Sequence, residues 1–230
     1  MSIDRALTDG QTLAAILDKI AGDVVLAFSY QAEDVVLLHL LQTHAARRPV
    51  AVFTLETGKL FLETAAYHAE VEAFFGLVIH RYTPDAAAVA ALESALGEWG
   101  MRHSLENRQR CCGVRKVAPL KIALRGKSAW ITGQRAAQSV TRARLQNLEY
   151  DADNGLIKLN PLAAWSEKAV FTYAQKHALP LHPLYAQGFR SIGCAPCTRA
   201  VAPDEDLRAG RWWWENPEHK ECGLHMRPSA

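Results

Sequence analysis

The stretch Asp23-Val24-Val25-Leu26-Ala27-Phe28-Ser29-Tyr30-Gln31-Ala32-Glu33-Asp34 joins an apolar run to a polar loop, and it decides the predicted fold. Its first seven residues predict a short buried β-strand. Apolar residues then recur at helical spacing across residues 32–47, which predicts a helix. Where a strand, a loop and a helix start meet, unpaired backbone N–H groups point outward and can bind an anion. Ser29 either belongs to such a site or only caps the helix.

The same alternation of strand and helix continues along the chain. Strands are predicted at 49–55, 77–82 and 128–132, and helices at 59–75, 85–96, 114–124 and 167–177. Ser166 is the predicted N-cap of the last helix, which ends before Pro180. The pattern predicts an α/β fold with an open, mostly parallel sheet and flanking helices. Ligands of such folds bind where the carboxyl ends of the strands meet.

The composition changes near Gly188, where the periodicity weakens and Gly, Pro, Trp, Arg and Cys become frequent. We therefore predict an α/β domain over residues 1–187 and a functional C-terminal segment over residues 188–230. The segment is expected to fold over the sheet edge and to belong to the same globular unit.

Charge and hydropathy exclude several classes of protein. The 230 residues include 26 Lys and Arg against 24 Asp and Glu, a net charge of +2, which gives no reason to expect broad nucleic-acid binding. No segment has the apolar length of a transmembrane helix, and the first residues lack the apolar region of a signal peptide. We therefore expect a cytoplasmic protein with reduced thiols and no membrane partner.

Four of the five cysteines stand in two tight groups, the adjacent Cys111-Cys112 and the C-x-x-C of Cys194 and Cys197. Clustered cysteines in a reducing compartment indicate a metal site or catalysis. Adjacent side chains diverge on a strand, but on a helix start or tight turn each can bind a different metal atom. A four-iron cluster offers separate corners, whereas a single zinc favours ligands spaced further apart. The pattern favours iron–sulfur, with zinc, a redox dithiol or buried apolar cysteines as alternatives.

Cys222 stands apart from this quartet, in Lys220-Glu221-Cys222-Gly223-Leu224-His225. His219, Lys220 and His225 bring positive charge near the thiol and favour its reactive thiolate, while Glu221 opposes them. Gly223 gives the backbone freedom directly after the cysteine. We predict that Cys222 is a mobile nucleophile; a surface cysteine without a role is the alternative.

Polar loops follow three predicted strands at one sheet edge, namely residues 29–34, Thr57-Gly58 and residues 132–135. Together they indicate that the domain of residues 1–187 binds a nucleotide or another anion. Basic residues also cluster around the cysteines, and these are Arg115, Lys116, Arg199, Arg208 and Arg211. They form either a solvated face or a set of phosphate or sulfate contacts. Trp212-Trp213-Trp214 is predicted to anchor the C-terminal segment, with base stacking as the alternative.

Four sequence motifs are informative in combination: Cys111-Cys112-Gly113-Val114-Arg115-Lys116, Ser191-Ile192-Gly193-Cys194-Ala195-Pro196-Cys197-Thr198-Arg199, Gly210-Arg211-Trp212-Trp213-Trp214-Glu215 and Lys220-Glu221-Cys222-Gly223-Leu224-His225. In combination they resemble the assimilatory adenylyl-sulfate (APS) reductases of the APS/PAPS reductase family, over residues 24–226. The resemblance implies an adenine nucleotide α-hydrolase-like fold. It also implies a [4Fe–4S] cluster on Cys111, Cys112, Cys194 and Cys197, with Cys222 as the nucleophile.

The resemblance further implies a reaction that serves sulfate assimilation and cysteine biosynthesis. The Cys222 thiolate attacks the sulfur of adenosine 5′-phosphosulfate, AMP leaves, and a thioredoxin-type dithiol then releases sulfite. The cluster has an implied structural and electrostatic role. Substrate contacts are implied for Lys116, Arg208, Arg211, Arg135, Ser29, Thr57 and Gly58. The oligomeric state stays open, with a homo-oligomer as one alternative.

The first loop departs from the family's pattern, because many relatives carry a glycine where this chain has Tyr30-Gln31. It also lacks the Ser-Gly-Gly-x-Asp-Ser run of pyrophosphatase-loop ATPases. The nearest alternative function is that of a 3′-phosphoadenylyl-sulfate (PAPS) reductase, whose typical members lack the cluster cysteines. An iron–sulfur tRNA thiolase and an iron–sulfur redox sensor are more distant alternatives.

Overall fold

The computed structural model describes residues 10–45, 48–139, 142–216 and residue 220. The predicted nucleophile Cys222 lies outside the described residues, as do the neighbouring His219 and His225. Within the described ranges, no helix combines the length and the apolar character needed to cross a membrane.

Six strands pair into one sheet. They are β1 Val24–Ala27, β2 Ala51–Leu55, β3 Ile79–Tyr82, β4 Ala129–Ile131, β5 Leu148–Asp151 and β6 Leu156–Leu159. Their order across the sheet is β3-β2-β1-β4-β6-β5. All neighbours pair in parallel except β5, which pairs antiparallel with β6 at the edge. The predicted open, mostly parallel sheet is thus confirmed.

Helices cover both faces of this sheet. In the described ranges they are α1 Gly10–Leu17, α2 Ala32–His44, α3 Leu62–Phe75, α4 Ala86–Leu96, α5 Leu105–Cys112, α6 Ala118–Leu124 and α7 Glu167–Lys176. Leu26 of β1 packs in the large core under α1, α2, α3 and α7, while its neighbour Val25 packs in a smaller core under α6. This alternation follows from the two-residue period of a strand. The predicted cap of α7 is also confirmed, since the Ser166 hydroxyl accepts from the Ala169 N–H.

Four of the described helices and strands were not predicted from the sequence, namely α1, α5, β5 and β6. The edge strand β5 alternates apolar and polar residues over only four positions, and its apolar Leu148 and Tyr150 are 46% and 71% exposed. The polar helix α5 buries only Arg108 and Cys112. Its start is nevertheless defined, because the Ser104 hydroxyl accepts from the Asn107 N–H at 3.1 Å.

The C-terminal segment is attached to α5 by a buried ion pair. Arg108 donates from Nε to Glu215 Oε1 at 2.6 Å, and the two side chains are 1% and 7% exposed. The Trp212 ring centroid lies 4.5 Å from the guanidinium carbon of Arg108 and 4.6 Å from that of Arg211. Trp212 therefore anchors the segment. The proposed boundary between residues 187 and 188 stays a prediction.

Candidate active site

A cavity of about 170 Å³, here named the edge cavity, opens at the carboxyl ends of β1, β2 and β4. β1 lies between β2 and β4. From β1 the chain continues outward through β2 and β3, and it then crosses back to β4 on the other side of β1, which reverses the strand order. Ligands of open α/β sheets bind in the crevice at such a switch point. The loops after all three strands line the cavity, together with residues 191–193 of the C-terminal segment.

The charged side chains that line the edge cavity, among the described residues, are all basic. Among the described residues these are Lys116, Arg142, Arg208 and Arg211. Arg211 donates from Nη1 to the Ile192 carbonyl at 3.0 Å, and a Cβ at Gly193 would collide with its guanidinium group. The glycine therefore lets the backbone approach the arginine closely. A cavity lined by several cations selects an anionic ligand.

Five of the seven predicted substrate contacts line the edge cavity, namely Ser29, Thr57, Lys116, Arg208 and Arg211. Gly58 and Arg135 do not. Gly58 has φ +69°, a conformation that favours glycine, and its place allows Arg115 to donate from Nη1 to the Thr57 carbonyl at 2.7 Å.

Arg135 lies behind the cavity wall instead of in the cavity. Its Nε donates to Glu33 Oε1 at 2.7 Å, and both side chains are at least nine-tenths buried. A buried carboxylate on the first turn of α2 requires a cation, and Arg135 supplies it. Arg135 therefore forms a structural ion pair behind the wall, and its expected place near the substrate stays a prediction.

The first loop is organised around the Asp34 carboxylate. Asp34 Oδ2 accepts from the Ser29 N–H at 2.7 Å, the Ser29 hydroxyl at 2.9 Å and the Gln31 N–H at 3.1 Å. Tyr30, between them, has φ +66°, a left-handed conformation that glycine adopts with the least strain. The donors expected to bind an anion in this loop are thus already bonded to a carboxylate of the chain.

We expect Asp34 to make the fold less stable as the pH rises from about 4 to 7. Burial raises the pKa of this carboxyl from 3.8 to about 7, although the bonds from Ser29 and Gln31 lower it. In that window the folded chain keeps a proton that the unfolded chain has lost. The free energy of unfolding should therefore fall by up to about 1.4 kcal/mol per pH unit relative to Asp34→Asn.

Urea unfolding at several pH values measures this difference in slope. The exposed Asp153→Asn is the matched control and should keep the wild-type slope. If Asp34→Asn also keeps that slope, the Asp34 carboxyl does not take up a proton in the folded chain.

The four clustered cysteines line a second, smaller space, here named the cysteine cavity. Cys194 directly precedes the tight turn Ala195–Cys197, and Cys197 is its last residue. The Cys197 N–H donates to the Cys194 carbonyl at 2.9 Å. The Thr57 hydroxyl lies 3.3 Å from the Cys194 sulfur, so the loop after β2 contacts the cysteines directly. Among the described residues, no three His, Cys, Asp or Glu side chains form a group that could hold a single metal ion.

The Cys111-Cys112 pair ends helix α5, which differs from the helix start or tight turn considered above. The helical backbone continues through a π turn, Gly113–Val117, into α6. Pro119 has no N–H group for the Arg115 carbonyl, and the Ala118 N–H bonds five residues back to Gly113. This wider turn carries Arg115 and Lys116 directly after the cysteines.

Burial disfavours the charged form of two of these thiols, Cys111 and Cys197. It raises the pKa of Cys197 to about 11, with Cys194 adding to the effect and Arg211 and Lys116 opposing it. Burial and then Cys194 also raise the pKa of Cys111. Iron in a cluster binds thiolates and compensates their charge. Four thiols around one apolar space, with cations beside them, therefore fit a sulfur-ligated cluster.

The edge cavity and the cysteine cavity share a wall, because Lys116, Arg211 and Trp212 line both. An anion bound by these cations would therefore lie next to the cysteines. The sequence analysis predicts this relation for Lys116, which follows the cysteine pair closely in sequence.

Gln134 lies in the predicted loop of residues 132–135, whereas two further polar residues of the edge cavity, Gln138 and Arg142, were not predicted. All of them follow β4, beyond or within the loop of residues 132–135. Arg142 donates from Nη1 to Gln138 Oε1 at 2.5 Å. Their position after a predicted strand was the available signal, but only the tertiary fold shows which of them reach the cavity.

Curated relatives have similar sequences over nearly their whole length. The chain is 53% identical over 207 residues to the adenosine 5′-phosphosulfate reductase of Allochromatium vinosum, covering 90% of this chain and 80% of that protein. It is 44% identical over 228 residues to the protein of the same name from Agrobacterium fabrum, covering 98% and 86%.

Solved structures share the fold. The phosphoadenylyl-sulfate (PAPS) reductase of Candida auris, in a phosphate complex, has a TM-score of 0.68 at 23% identity and covers 84% of this chain and 90% of its own. Yeast FAD synthetase has a TM-score of 0.57 at 16% identity and covers 85% and 66%. The family model of the phosphoadenosine phosphosulfate reductase domain matches residues 23–200, and the chain therefore belongs to that family.

Proposed function

We propose that this chain reduces adenosine 5′-phosphosulfate to sulfite and AMP in sulfate assimilation. The observation that carries the proposal is the wall that the edge cavity and the cysteine cavity share at Lys116, Arg211 and Trp212. Cations able to bind a phosphosulfate group thereby lie beside a set of four thiols. The names of the relatives at 53% and 44% identity support the same reaction.

Cys222 is the proposed nucleophile. Its thiolate attacks the sulfate sulfur, and the bond from that sulfur to the bridging phosphate oxygen breaks as the new S–S bond forms. AMP leaves with the electron pair, so negative charge develops on its phosphate. Lys116, Arg208 and Arg211 would stabilise this charge. Arg208 donates from Nη2 to the carbonyl of Lys220 at 2.9 Å, two residues before Cys222 in the sequence.

A thioredoxin-type dithiol completes the proposed reaction. One of its thiolates attacks the Cys222 sulfur and displaces sulfite, which leaves a mixed disulfide. Its second thiol then breaks this bond, so the donor is oxidised to a disulfide and Cys222 returns to the thiol. The donor thus supplies both electrons. The cytoplasm, where thiols stay reduced, suits this chemistry.

Cys111, Cys112, Cys194 and Cys197 would hold a [4Fe–4S] cluster in the cysteine cavity. When bound, the cluster and its four thiolates would carry net negative charge that the neighbouring cations would balance, and the cluster would fix the end of α5. The π turn after α5 carries Lys116, so its place on the cavity wall would depend on the cysteines. Thr57 is a proposed nucleotide contact, and so is Ser29 through its acceptor oxygens, because both of its donors are bonded to Asp34. Gly58 and Arg135 would support the wall from behind.

Sulfite release from two nucleotides tests the proposed function. Protein purified without oxygen, and analysed for iron and sulfide, should release sulfite from APS with a reduced dithiol protein and much less from the 3′-phosphorylated substrate. Iron-free protein active only on that substrate would favour a PAPS reductase. ATP-dependent turnover would favour a thiolase, and an intact cluster without any turnover would favour a sensor.

A further inference from the structure

A short turn before α5 joins the two segments that carry the clustered cysteines. Arg102 is the last residue of this turn, Gly100–Arg102. Its Nε and Nη2 donate to the Pro196 carbonyl at 3.1 Å and 2.7 Å. Pro196 stands between Cys194 and Cys197, whereas α5 ends in the adjacent cysteine pair. One guanidinium group thus ties the C-x-x-C turn to the segment that precedes the pair.

Tryptophan rings fix the orientation of this guanidinium group. Its carbon lies 4.5 Å from the ring centroid of Trp99, 4.8 Å from that of Trp213 and 5.3 Å from that of Trp214. The planar guanidinium of an arginine stacks well on aromatic rings, and its N–H groups can still donate at the edge. In the described part of the chain Arg102 pairs with no carboxylate, so its positive charge is not neutralised there.

The bonds from Arg102 act on the backbone of both cysteines in the C-x-x-C. The Pro196 carbonyl and the Cys197 N–H belong to one peptide group, and that N–H donates to the Cys194 carbonyl at 2.9 Å. A cation bonded to the carbonyl polarises the peptide and strengthens the bond that its N–H makes. Within the described ranges the Pro196 carbonyl accepts from no other group, so it depends on Arg102 for a protein donor.

We propose that Arg102 is a positioning residue that determines how long the cysteines retain their iron–sulfur cluster. This inference rests on the proposed function, from which it takes the cluster. Arg102 holds the turn of two ligands by charge-assisted hydrogen bonds and places a positive charge beside a cluster whose thiolates are negative. Groups that hold metal ligands in place typically change metal affinity by about 10- to 100-fold.

The rate at which the full-length holoprotein loses iron tests this role. Protein purified without oxygen is mixed with a reductant and an excess of the iron(II) chelator ferrozine, whose colour follows the released iron. Arg102→Met keeps the unbranched stem but removes both donors and the charge, and it should release iron about tenfold faster than the wild type. Arg102→Lys places an ammonium near the position of the guanidinium carbon, within reach of Pro196, and should return the rate to within about threefold of wild type.

Arg110→Met is the matched control, because it makes the same change at an exposed position of α5. Its rate should stay within about twofold of wild type, since an exposed charge is screened by solvent. Circular dichroism must show that the variants are folded. A failure of Arg102→Met to fold would assign the residue to the fold and overturn the inference.

Three further results would overturn the role of Arg102. The first is a wild-type rate in Arg102→Met. The second is an Arg102→Lys rate equal to that of Arg102→Met, which would assign the effect to packing between the rings. The third is equally fast release from Arg110→Met, which would assign it to charge in general. Sulfite release from APS by the wild type with any of these would reject the role of Arg102 alone. A wild type without iron would overturn the cluster and this role together, whereas the expected rates without sulfite release would reject the proposed reaction alone.

Discussion

Cys222→Ser should form no detectable sulfite from APS, a loss of at least about 10³-fold, while its iron and sulfide contents equal those of the wild type. The first effect follows from removing a nucleophile, because a serine hydroxyl is a far weaker nucleophile than a thiolate at neutral pH. The second follows because Cys222 stands apart in the sequence from the four proposed cluster ligands. Sulfite assay and metal analysis on the same preparation measure both.

Substrate binding provides the internal control for this variant. AMP affinity should be unchanged, since the cations of the edge cavity are intact. Mass spectrometry of wild-type protein incubated with APS alone should show a sulfo group on Cys222. Retained turnover in Cys222→Ser, or a sulfo group found on another cysteine only, would remove Cys222 from the reaction.

The centre of the sheet could be predicted because its strands are buried on both faces. Val24, Val25 and Leu26 are each at most 4% exposed, and such strands read as continuous apolar runs. β5 lies at the edge and spans only four residues, and its apolar Leu148 and Tyr150 stay exposed. Local apolar patterns therefore identify buried elements and miss those that gain their stability from neighbours in the fold.

Prediction from the sequence is limited in the same way for single residues of the candidate site. Cys111 and Lys116 could be predicted because cysteine clusters and nearby cations are visible in the sequence. Arg135 and Arg142 both follow β4 and look equivalent in sequence. Arg135 forms an ion pair with Glu33, which lies on the first turn of α2, whereas Arg142 lines the edge cavity. The position of Glu33 relative to β4 is visible only in the tertiary fold. Contacts between distant segments decide such roles.

Cys194→Ser should lose at least half of its iron and at least about tenfold in turnover. Cys194 is 9% exposed on the wall of the cysteine cavity, and its sulfur lies 3.3 Å from the Thr57 hydroxyl. Serine offers a harder oxygen donor where an iron–sulfur cluster needs a thiolate. Turnover should fall because Lys116 and Arg211 lie on the wall that the two cavities share, and the proposed cluster would fix that wall.

Two variants separate loss of a ligand from loss of structure. Met101→Leu changes an apolar neighbour in the same cluster of side chains without removing a sulfur donor to the metal, and it should keep its iron. Cys222→Ser should also keep its iron. That result would show that the loss of any one thiol is not enough to lower the iron content. Circular dichroism must show that Cys194→Ser is folded. Full iron and sulfide in that folded variant would exclude Cys194 as a ligand, and the four cysteines would then need a role other than holding one cluster.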